Sequence, residues 1–211
     1  MVIVPTLTVV QGRRTPPMRP DRSVTGASLD PSATMGRVSA LRPLISAEQI
    51  HTRVRAMGEQ IEADYPNGEP IYLISILKGS FIFLADLVRT FQRHSVRVEF
   101  MGISSYGGGK TSSGQVKVTR DLDISIEGQH VLIVEDIVDS GVTLSYLARV
   151  LAQRRPRSLE IATLLDKPER RIQPVDVKYV GFAIPDEFVV GYGLDYAEDY
   201  RNLKDICVLS E

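Results

Sequence analysis

The segment from His130 to Leu144 constrains the fold of this chain more than any other part of the sequence. Its apolar run Val131–Val134 is followed at once by two acidic residues, Glu135 and Asp136, and then by a short polar loop and an amphipathic stretch. Four consecutive apolar residues are typical of a strand buried on both faces, as strands are in a parallel sheet covered by helices. The segment therefore predicts a strand, a tight loop and the first turn of a helix in an α/β protein.

The polar loop in this segment, from Asp139 to Thr143, has the chemistry of an anion site. Backbone N–H groups at the start of a helix point outward, and the helix dipole favours negative charge there, so a phosphate group fits. Glu135 and Asp136 lie just upstream, at the edge where open α/β sheets bind ligands. Their carboxylates can accept hydrogen bonds from sugar hydroxyls or from water bound to Mg²⁺. The alternative is a charged strand end and an ordinary helix capped by Asp139 or Ser140.

The composition excludes several classes of function. The 211 residues carry 25 basic and 26 acidic side chains, a net charge of −1, so neither nucleic acid nor an anionic membrane is indicated as a main partner. We find no apolar stretch approaching the ~20 residues of a membrane span and no secretory signal, so a soluble, cytoplasmic protein is expected. The single cysteine, Cys207, fits a reducing compartment, and His51, His94 and His130 lack the spacing of metal ligands.

Residues 1–42 differ in composition from the rest of the chain. This segment contains five prolines, its charged residues are mostly arginines, and only two of its residues are acidic. This pattern predicts a disordered extension ahead of one folded domain over residues 43–211. An organelle transit peptide is one alternative, and a start codon placed too early, with Met18 or Met35 as the true start, is another.

Periodicity along the rest of the chain alternates between strands and helices. Ser46, three residues before Gln49, indicates a capping box at the start of a helix that ends near Asp64. The predicted strands are 70–77, 96–104, 116–122, 131–135, 159–165, 177–182 and 189–191, and the further helices are 80–93 and 142–153. Strands and helices that alternate at this spacing imply right-handed crossovers and a parallel sheet.

The interval from Tyr106 to Gly114 is polar and rich in glycine, and it separates two predicted strands. A segment that cannot pack is expected to form a mobile loop, and such loops often act as lids. Gly109-Lys110-Thr111 matches the end of a nucleotide-binding P-loop, but that motif requires a glycine where this chain has Ser104, and no helix follows. We therefore reject the kinase or NTPase interpretation.

The string from His130 to Leu144 resembles the phosphoribosyl-pyrophosphate signature of the type I phosphoribosyltransferases, and further blocks resemble the hypoxanthine-guanine members of that family. These blocks are Leu77-Lys-Gly-Ser80, the pair Ser105-Tyr106, Lys167, and the run from Asp186 to Arg201. The resemblance covers the chain from about Leu44 to Ser210. It implies the type I phosphoribosyltransferase fold, a mainly parallel twisted sheet flanked by helices, with a small hood and a mobile loop.

The resemblance also implies which residues bind phosphoribosyl pyrophosphate. The Lys78–Gly79 peptide would bind pyrophosphate through its backbone and can be cis, and Arg201 would supply a cation for the same group. Ser105 and Tyr106 would close over the substrates and exclude water from an oxocarbenium-like state. Glu135 and Asp136 would bind the ribose hydroxyls. The loop after them would bind the 5′-phosphate, through Asp139, Ser140, Gly141, Val142 and Thr143.

A second set of residues is implied for the purine base. Lys167 would donate to the 6-oxo group, Phe188 would stack on the ring, and the Val189 backbone would bond to the base edge. Asp139 is assigned as the general base or acid beside purine N7. Asp195 would lie near the purine and hold Mg²⁺ with the pyrophosphate. The implied metal ligands are Glu135, Asp136 and Asp195.

These residues together predict a purine salvage enzyme. It would move the 5-phosphoribosyl group from phosphoribosyl pyrophosphate to hypoxanthine or guanine, giving IMP or GMP and pyrophosphate, with Mg²⁺ as cofactor. The resemblance also implies a homodimer or homotetramer. One rival is a xanthine-preferring transferase. The other is a regulatory protein that senses phosphoribosyl pyrophosphate while binding nucleic acid, which should lack the Lys167–Phe188 pair or carry a basic face.

Overall fold

The structure, a computed structural model, describes residues 41–66, 68–105 and 116–210. The strands are β1 (Leu41–Ile45), β2 (Ile71–Leu77), β3 (Val96–Ser105), β4 (Val116–Arg120), β5 (His130–Val138), β6 (Ser158–Asp166), β7 (Tyr179–Ala183), β8 (Val189–Val190) and β9 (Ile206–Leu209). The helices are α1 (Ala47–Asp64), α2 (Phe81–Val88) and α3 (Val142–Ala152). No helix in these ranges is both long and apolar enough to cross a membrane.

A six-stranded sheet forms the centre of the protein, with strand order β4-β3-β2-β5-β6-β7. Every neighbouring pair is parallel except β3 with β4, which is antiparallel. The predicted α/β class and mainly parallel sheet are therefore confirmed. Because β2, β5 and β6 are parallel neighbours, their carboxyl ends lie along one edge of the sheet, where the predicted site residues follow.

The apolar run Val131–Val134 is fully buried, as predicted. Its side chains alternate between two cores, because successive side chains of a strand point to opposite faces. Leu132 and Val134 pack with side chains of α1 and α2, whereas Val131 and Ile133 pack with side chains of α3. Burying each of these side chains contributes roughly 1.5–3 kcal/mol, so the run fixes β5 between two helical layers.

Helix α1 begins as the sequence predicts. Ser46 accepts from the backbone N–H of Gln49, and the Gln49 side chain accepts from the Ser46 N–H, which completes the capping box. Helix α2 is shorter than the predicted 80–93. The buried Glu62 carboxylate accepts from the backbone N–H groups of Gln92 and Arg93 at 2.8 and 2.6 Å, so these amides bond to a side chain and not within a helix.

A second, three-stranded antiparallel sheet of order β1-β9-β8 forms the hood. The patterns in the sequence missed β1 and β9, which pair Leu41 with Leu209 and Arg42 with Val208. Residues 41 and 42 therefore belong to a strand, although the sequence placed them in the extension. The rest of that extension lies outside the described residues.

Strand β5 is longer than the predicted 131–135 and continues through the acidic pair to Val138. The extension has a backbone cause, because β5 remains paired with β6 up to Val138 opposite Asp166. The remaining strands and α3 begin and end within about two residues of their predicted bounds, the usual uncertainty in such assignments.

Candidate active site

Two adjacent carboxylates, Glu135 and Asp136, lie near the carboxyl end of β5. Oε2 of Glu135 is buried and has no hydrogen-bond partner among the described residues. Burial, together with the charge of Asp136, raises the pKa of Glu135 well above its usual value. Burial also raises the pKa of Asp136 to about 6, although the N–H of Ile137, which donates to Oδ1 at 2.9 Å, and the charge of Arg201 oppose the rise. The pair is thus a desolvated acidic site suited to a cation or to hydroxyl donors.

The turn after β2 lies directly against this pair. A Cβ atom placed on Gly79 would be 1.6 Å from Oδ2 of Asp136, so any side chain there would force the Asp136 carboxylate to move. A Cβ atom on Gly193 would be 2.1 Å from the carbonyl oxygen of Gly79. The cis peptide expected at Lys78–Gly79 is instead the Leu77–Lys78 bond, one position earlier. The backbone of this turn is therefore exposed to the carboxylates without an intervening side chain.

The loop predicted to bind phosphate leads into α3. Gly141, with φ of 78°, is the N-cap residue and makes no side-chain cap, so the alternative of a helix capped by Asp139 or Ser140 is wrong. A Cβ on Gly141 would meet the Gln173 carbonyl oxygen at 2.4 Å. The loop encloses a cavity of about 160 Å³, enough for a phosphate group. Its lining residues are Glu135, Ile137, Val138, Asp139, Ser140, Gly141, Thr143 and Leu144.

Two arginines that sequence reasoning missed hold this loop. Arg170 Nε lies 3.0 Å from Asp139 Oδ1, and Arg171 Nη1 donates to the Asp139 carbonyl oxygen at 2.9 Å. Arg171 also pairs with Asp166 at the end of β6. Their position in the sequence could have indicated this role, because both arginines follow β6, a parallel strand whose carboxyl end lies beside that of β5.

Of the residues predicted to read the base, Lys167 lies beside the same loop. The backbone N–H of Lys167 donates to the Val138 carbonyl oxygen at 2.9 Å, and the Lys167 residue is only 7% exposed. Its ammonium lies 3.8 Å from Oδ1 of Asp186. Phe188 is 53% exposed, which excludes a role as a core residue, and its ring meets Tyr196 edge-on at 5.7 Å. Val189 is buried in β8.

Arg201 anchors the last part of the site. Its Nη2 lies 2.8 Å from Oδ1 of Asp195, and its Nη1 donates to the Gly193 carbonyl oxygen at 2.8 Å. The arginine side chain is 19% exposed, and its Nε is buried without a hydrogen-bond partner in the described part of the chain. Glu198, which sequence reasoning did not single out, bridges Arg201 to Lys78.

The structure assembles no ready-made metal cluster from the residues it describes: no group of three or more histidine, cysteine, aspartate or glutamate side chains in them could hold an ion. The donor chemistry nevertheless fits a hard cation such as Mg²⁺, which prefers carboxylate oxygens, water and substrate phosphates. Oε2 of Glu135 is buried without a partner among the described residues, and burial raises the pKa of Asp136, so a bound cation would stabilise the ionised form of both carboxylates.

A family model described as the phosphoribosyl transferase domain matches residues 46–197. Hypoxanthine-guanine phosphoribosyltransferases from Bacillus subtilis and Mycobacterium tuberculosis are each 48% identical to this chain, over 166 and 187 residues. These alignments cover 79% and 83% of the chain and 91% and 92% of the relatives. The chain belongs to the hypoxanthine-guanine phosphoribosyltransferases.

Solved structures agree with this hypoxanthine-guanine phosphoribosyltransferase assignment. The enzyme from Bacillus anthracis superposes with a TM-score of 0.75 at 48% identity and covers 79% of this chain and 97% of its own. The hypoxanthine phosphoribosyltransferase from Trypanosoma cruzi gives a TM-score of 0.76 at 48% identity, covering 83% and 94%. The type I phosphoribosyltransferase fold and the prediction of a pentosyltransferase of purine salvage are therefore confirmed.

Most of the predicted site residues follow strands that end at one edge of the large sheet or lie on the adjoining hood. The predicted lid is the exception. Ser105 is the last residue of β3, and Tyr106 lies outside the described residues. The closing role of this pair stays a prediction.

Proposed function

We propose that this chain transfers the 5-phosphoribosyl group of phosphoribosyl pyrophosphate to N9 of hypoxanthine or guanine, giving IMP or GMP and releasing pyrophosphate. The proposal joins the family membership to the arrangement at the sheet edge. Catalysis would come mainly from positioning the two substrates and from neutralising the charge of the leaving pyrophosphate, with proton removal from the base as an aid.

One observation carries the assignment of a 6-oxopurine. The hydrogen bond from the Lys167 N–H to the Val138 carbonyl oxygen holds the Lys167 backbone beside the phosphate loop. A base read by this ammonium would therefore lie next to a ribose whose 5′-phosphate occupies the loop. An ammonium can donate to a 6-oxo group but cannot accept from a 6-amino group, so adenine is disfavoured.

The sugar and its phosphates would be held by the groups around β5. The loop Asp139–Thr143 offers backbone N–H groups and two hydroxyls to the 5′-phosphate, and Glu135 with Asp136 accept from the ribose hydroxyls. The Lys78–Gly79 backbone and Arg201 face the pyrophosphate. Asp139 would move the proton at purine N7, and Phe188 would stack on the ring while the Val189 backbone bonds to its edge.

Glu135, Asp136 and Asp195 are the residues that would hold Mg²⁺ together with substrate oxygens. When bound, the ion supplies positive charge that stabilises the leaving pyrophosphate. The protein's own part is to hold these carboxylates in position, where a bound cation would offset the raised pKa of Glu135 and Asp136. Asp195 is oriented by Arg201, whose Nη2 lies 2.8 Å from its Oδ1.

The active protein would be a cytoplasmic homodimer or homotetramer. The structure of the Trypanosoma cruzi relative concerns the role of the C-terminal region in that protein's oligomeric state and activity, which supports assembly as a property to test here. Cys207 is a buried free thiol, in keeping with a reducing compartment.

A single assay tests the proposed reaction. The protein would be incubated with Mg²⁺, phosphoribosyl pyrophosphate and one of four purines: adenine, hypoxanthine, guanine or xanthine. We expect nucleotide from hypoxanthine and guanine, little from adenine, and none when Mg²⁺ is chelated. Preference for xanthine would establish the rival transferase, and no nucleotide from any purine would favour a regulatory protein.

A further inference from the structure

Two cations of the site converge on one carboxylate oxygen. Lys78 Nζ lies 2.9 Å from Oε2 of Glu198, and Arg201 Nη2 lies 3.4 Å from the same atom. These cations come from distant parts of the chain, the turn after β2 and the segment before β9. An oxygen atom that receives two such cations occupies the kind of position that a phosphate oxygen takes in an anion site.

The backbone holds Glu198 in this position. Ala197, Glu198 and Tyr200 have φ values of 52°, 71° and 74°, in the left-handed region that residues other than glycine rarely adopt. The Glu198 N–H donates to Oδ2 of Asp195 at 2.9 Å, which fixes the turn to a predicted metal ligand. Such backbone strain persists where surrounding contacts determine it, and it is concentrated at functional sites.

The Glu198 carboxylate forms an ion pair with each of the two cations. Both partners of the Lys78–Glu198 pair are well exposed, at 64% and 66%, so the pair is weak and can be exchanged for a stronger anion.

We infer that Glu198 is a positioning residue that acts as an internal substitute for a pyrophosphate oxygen, pairing with Lys78 and Arg201 in the free protein and competing with pyrophosphate for them. This inference rests on the proposed function, in which pyrophosphate leaves from this part of the site. The carboxylate occupies the two cations before substrate arrives, so pyrophosphate must displace it. It also returns to them when pyrophosphate departs, which favours product release.

A competing role and a purely structural role of Glu198 predict opposite changes in pyrophosphate affinity when its charge is removed. If Glu198 only stabilised the turn, its removal would disorder Arg201 and weaken the binding of pyrophosphate. If it competes with pyrophosphate, its removal strengthens that binding. The neighbouring Asp199 is exposed in the same turn and pairs through its backbone with Tyr196, so it controls for a general loss of negative charge.

The experiment is isothermal titration of the full chain with inorganic pyrophosphate in the presence of Mg²⁺, for the wild type, Glu198→Gln and Asp199→Asn. We expect the Kd of Glu198→Gln to fall by about 2- to 5-fold, the scale of exposed ion pairs, and that of Asp199→Asn to change less than about 1.5-fold. The advantage of Glu198→Gln should shrink in about 1 M salt, because exposed charges are then screened. Steady-state kinetics should show a lower KM for phosphoribosyl pyrophosphate by a similar factor, with no rise in kcat.

Unchanged or weaker pyrophosphate binding by Glu198→Gln, in a variant that melts at the wild-type temperature, overturns the inference. Equal strengthening by Glu198→Gln and Asp199→Asn also overturns it, since a general charge effect would then be sufficient. If Glu198→Gln melts early, Glu198→Asn, which tolerates the left-handed backbone better, takes its place under the same criteria. Failure of the wild type to bind pyrophosphate or to form nucleotide would instead contradict the proposed function.

Discussion

The Arg170 guanidinium lies 3.0 Å from the carboxylate of Asp139 and reaches Asp186 on its other side at 3.5 Å. Asp186 in turn approaches the Lys167 ammonium. The carboxylate proposed to act at purine N7 and the lysine proposed to read the 6-oxo group are thus linked by one chain of charges. A substitution of one of these charged residues should change the energetic contributions of the others, so variants at this edge require matched controls.

Asp139→Asn should lower kcat by ~10²-fold or more, the range for a general acid or base, and should leave the affinity for phosphoribosyl pyrophosphate largely intact. Steady-state kinetics and a direct binding titration measure the two quantities. Glu169→Gln is the control, because it removes a neighbouring exposed carboxylate in the turn that carries Arg170. Near-wild-type kcat in Asp139→Asn would remove Asp139 from the proton-transfer role.

Lys167→Ala should lower kcat/KM for hypoxanthine and guanine by at least ~10-fold, the scale of a lost charged hydrogen bond of ~1.5–3 kcal/mol. Lys204→Ala removes the same charge from an exposed position before β9 and should have little effect. The wild type should use adenine poorly. Equal use of adenine and hypoxanthine by the wild type, or no effect of Lys167→Ala, would contradict the 6-oxopurine assignment. The proposed phosphoribosyl transfer would be unaffected by that result.

Asp136→Asn should stabilise the ligand-free protein in a way that depends on pH. Its folded pKa of about 6 exceeds the ordinary value of 3.8, so between these two values the folded protein binds more protons than the unfolded chain. The contribution of Asp136 to stability therefore falls as pH rises through this window and is constant above it. In Asp136→Asn this residue cannot ionise, so the variant does not lose stability in this window. Its unfolding free energy at pH 7 should exceed that of the wild type by on the order of 2–3 kcal/mol.

Urea unfolding from about pH 4 to pH 7 measures this effect, as the difference in unfolding free energy between Asp136→Asn and the wild type. The Asn side chain retains an oxygen that can accept from the Ile137 N–H, so the local hydrogen bond is preserved. Asp123→Asn, at an exposed position, should give a difference that is flat with pH. A flat difference for Asp136→Asn as well would show that burial does not perturb this carboxylate.

Deletion of residues 1–40 should leave the Tm and the rate of purine transfer nearly unchanged, because this segment has no patterned apolar face to bury. Deletion of residues 1–45 is the matched comparison. It also removes β1 and exposes the edge of β9, so it should lower the Tm by several degrees. A large loss in the shorter deletion would show that the extension is an integrated element.

The sequence allowed β5, its loop and α3 to be predicted because a buried strand and a helix start are encoded by adjacent residues. The pairing of β1 with β9 was missed because it joins residues about 165 positions apart, and neither short segment has a distinctive period. The approach of Glu198 to Lys78 was missed for the same reason, since it depends on how the hood lies on the sheet edge. Family resemblance identified Lys78 and Arg201, but it carried no information about the carboxylate between them.

Gly79 lies between the Asp136 carboxylate on one side and the Gly193 backbone on the other, so a methyl group at Gly79 would displace the carboxylate and one at Gly193 would collide with the Gly79 carbonyl oxygen. Three segments that are far apart in the chain thus interlock through backbone alone. The carboxylates, the pyrophosphate turn and the Arg201 segment are therefore brought into register only when all three have docked. A partly folded chain would possess each fragment of the site yet have no binding affinity, so the appearance of ligand binding during refolding would report completion of the native structure.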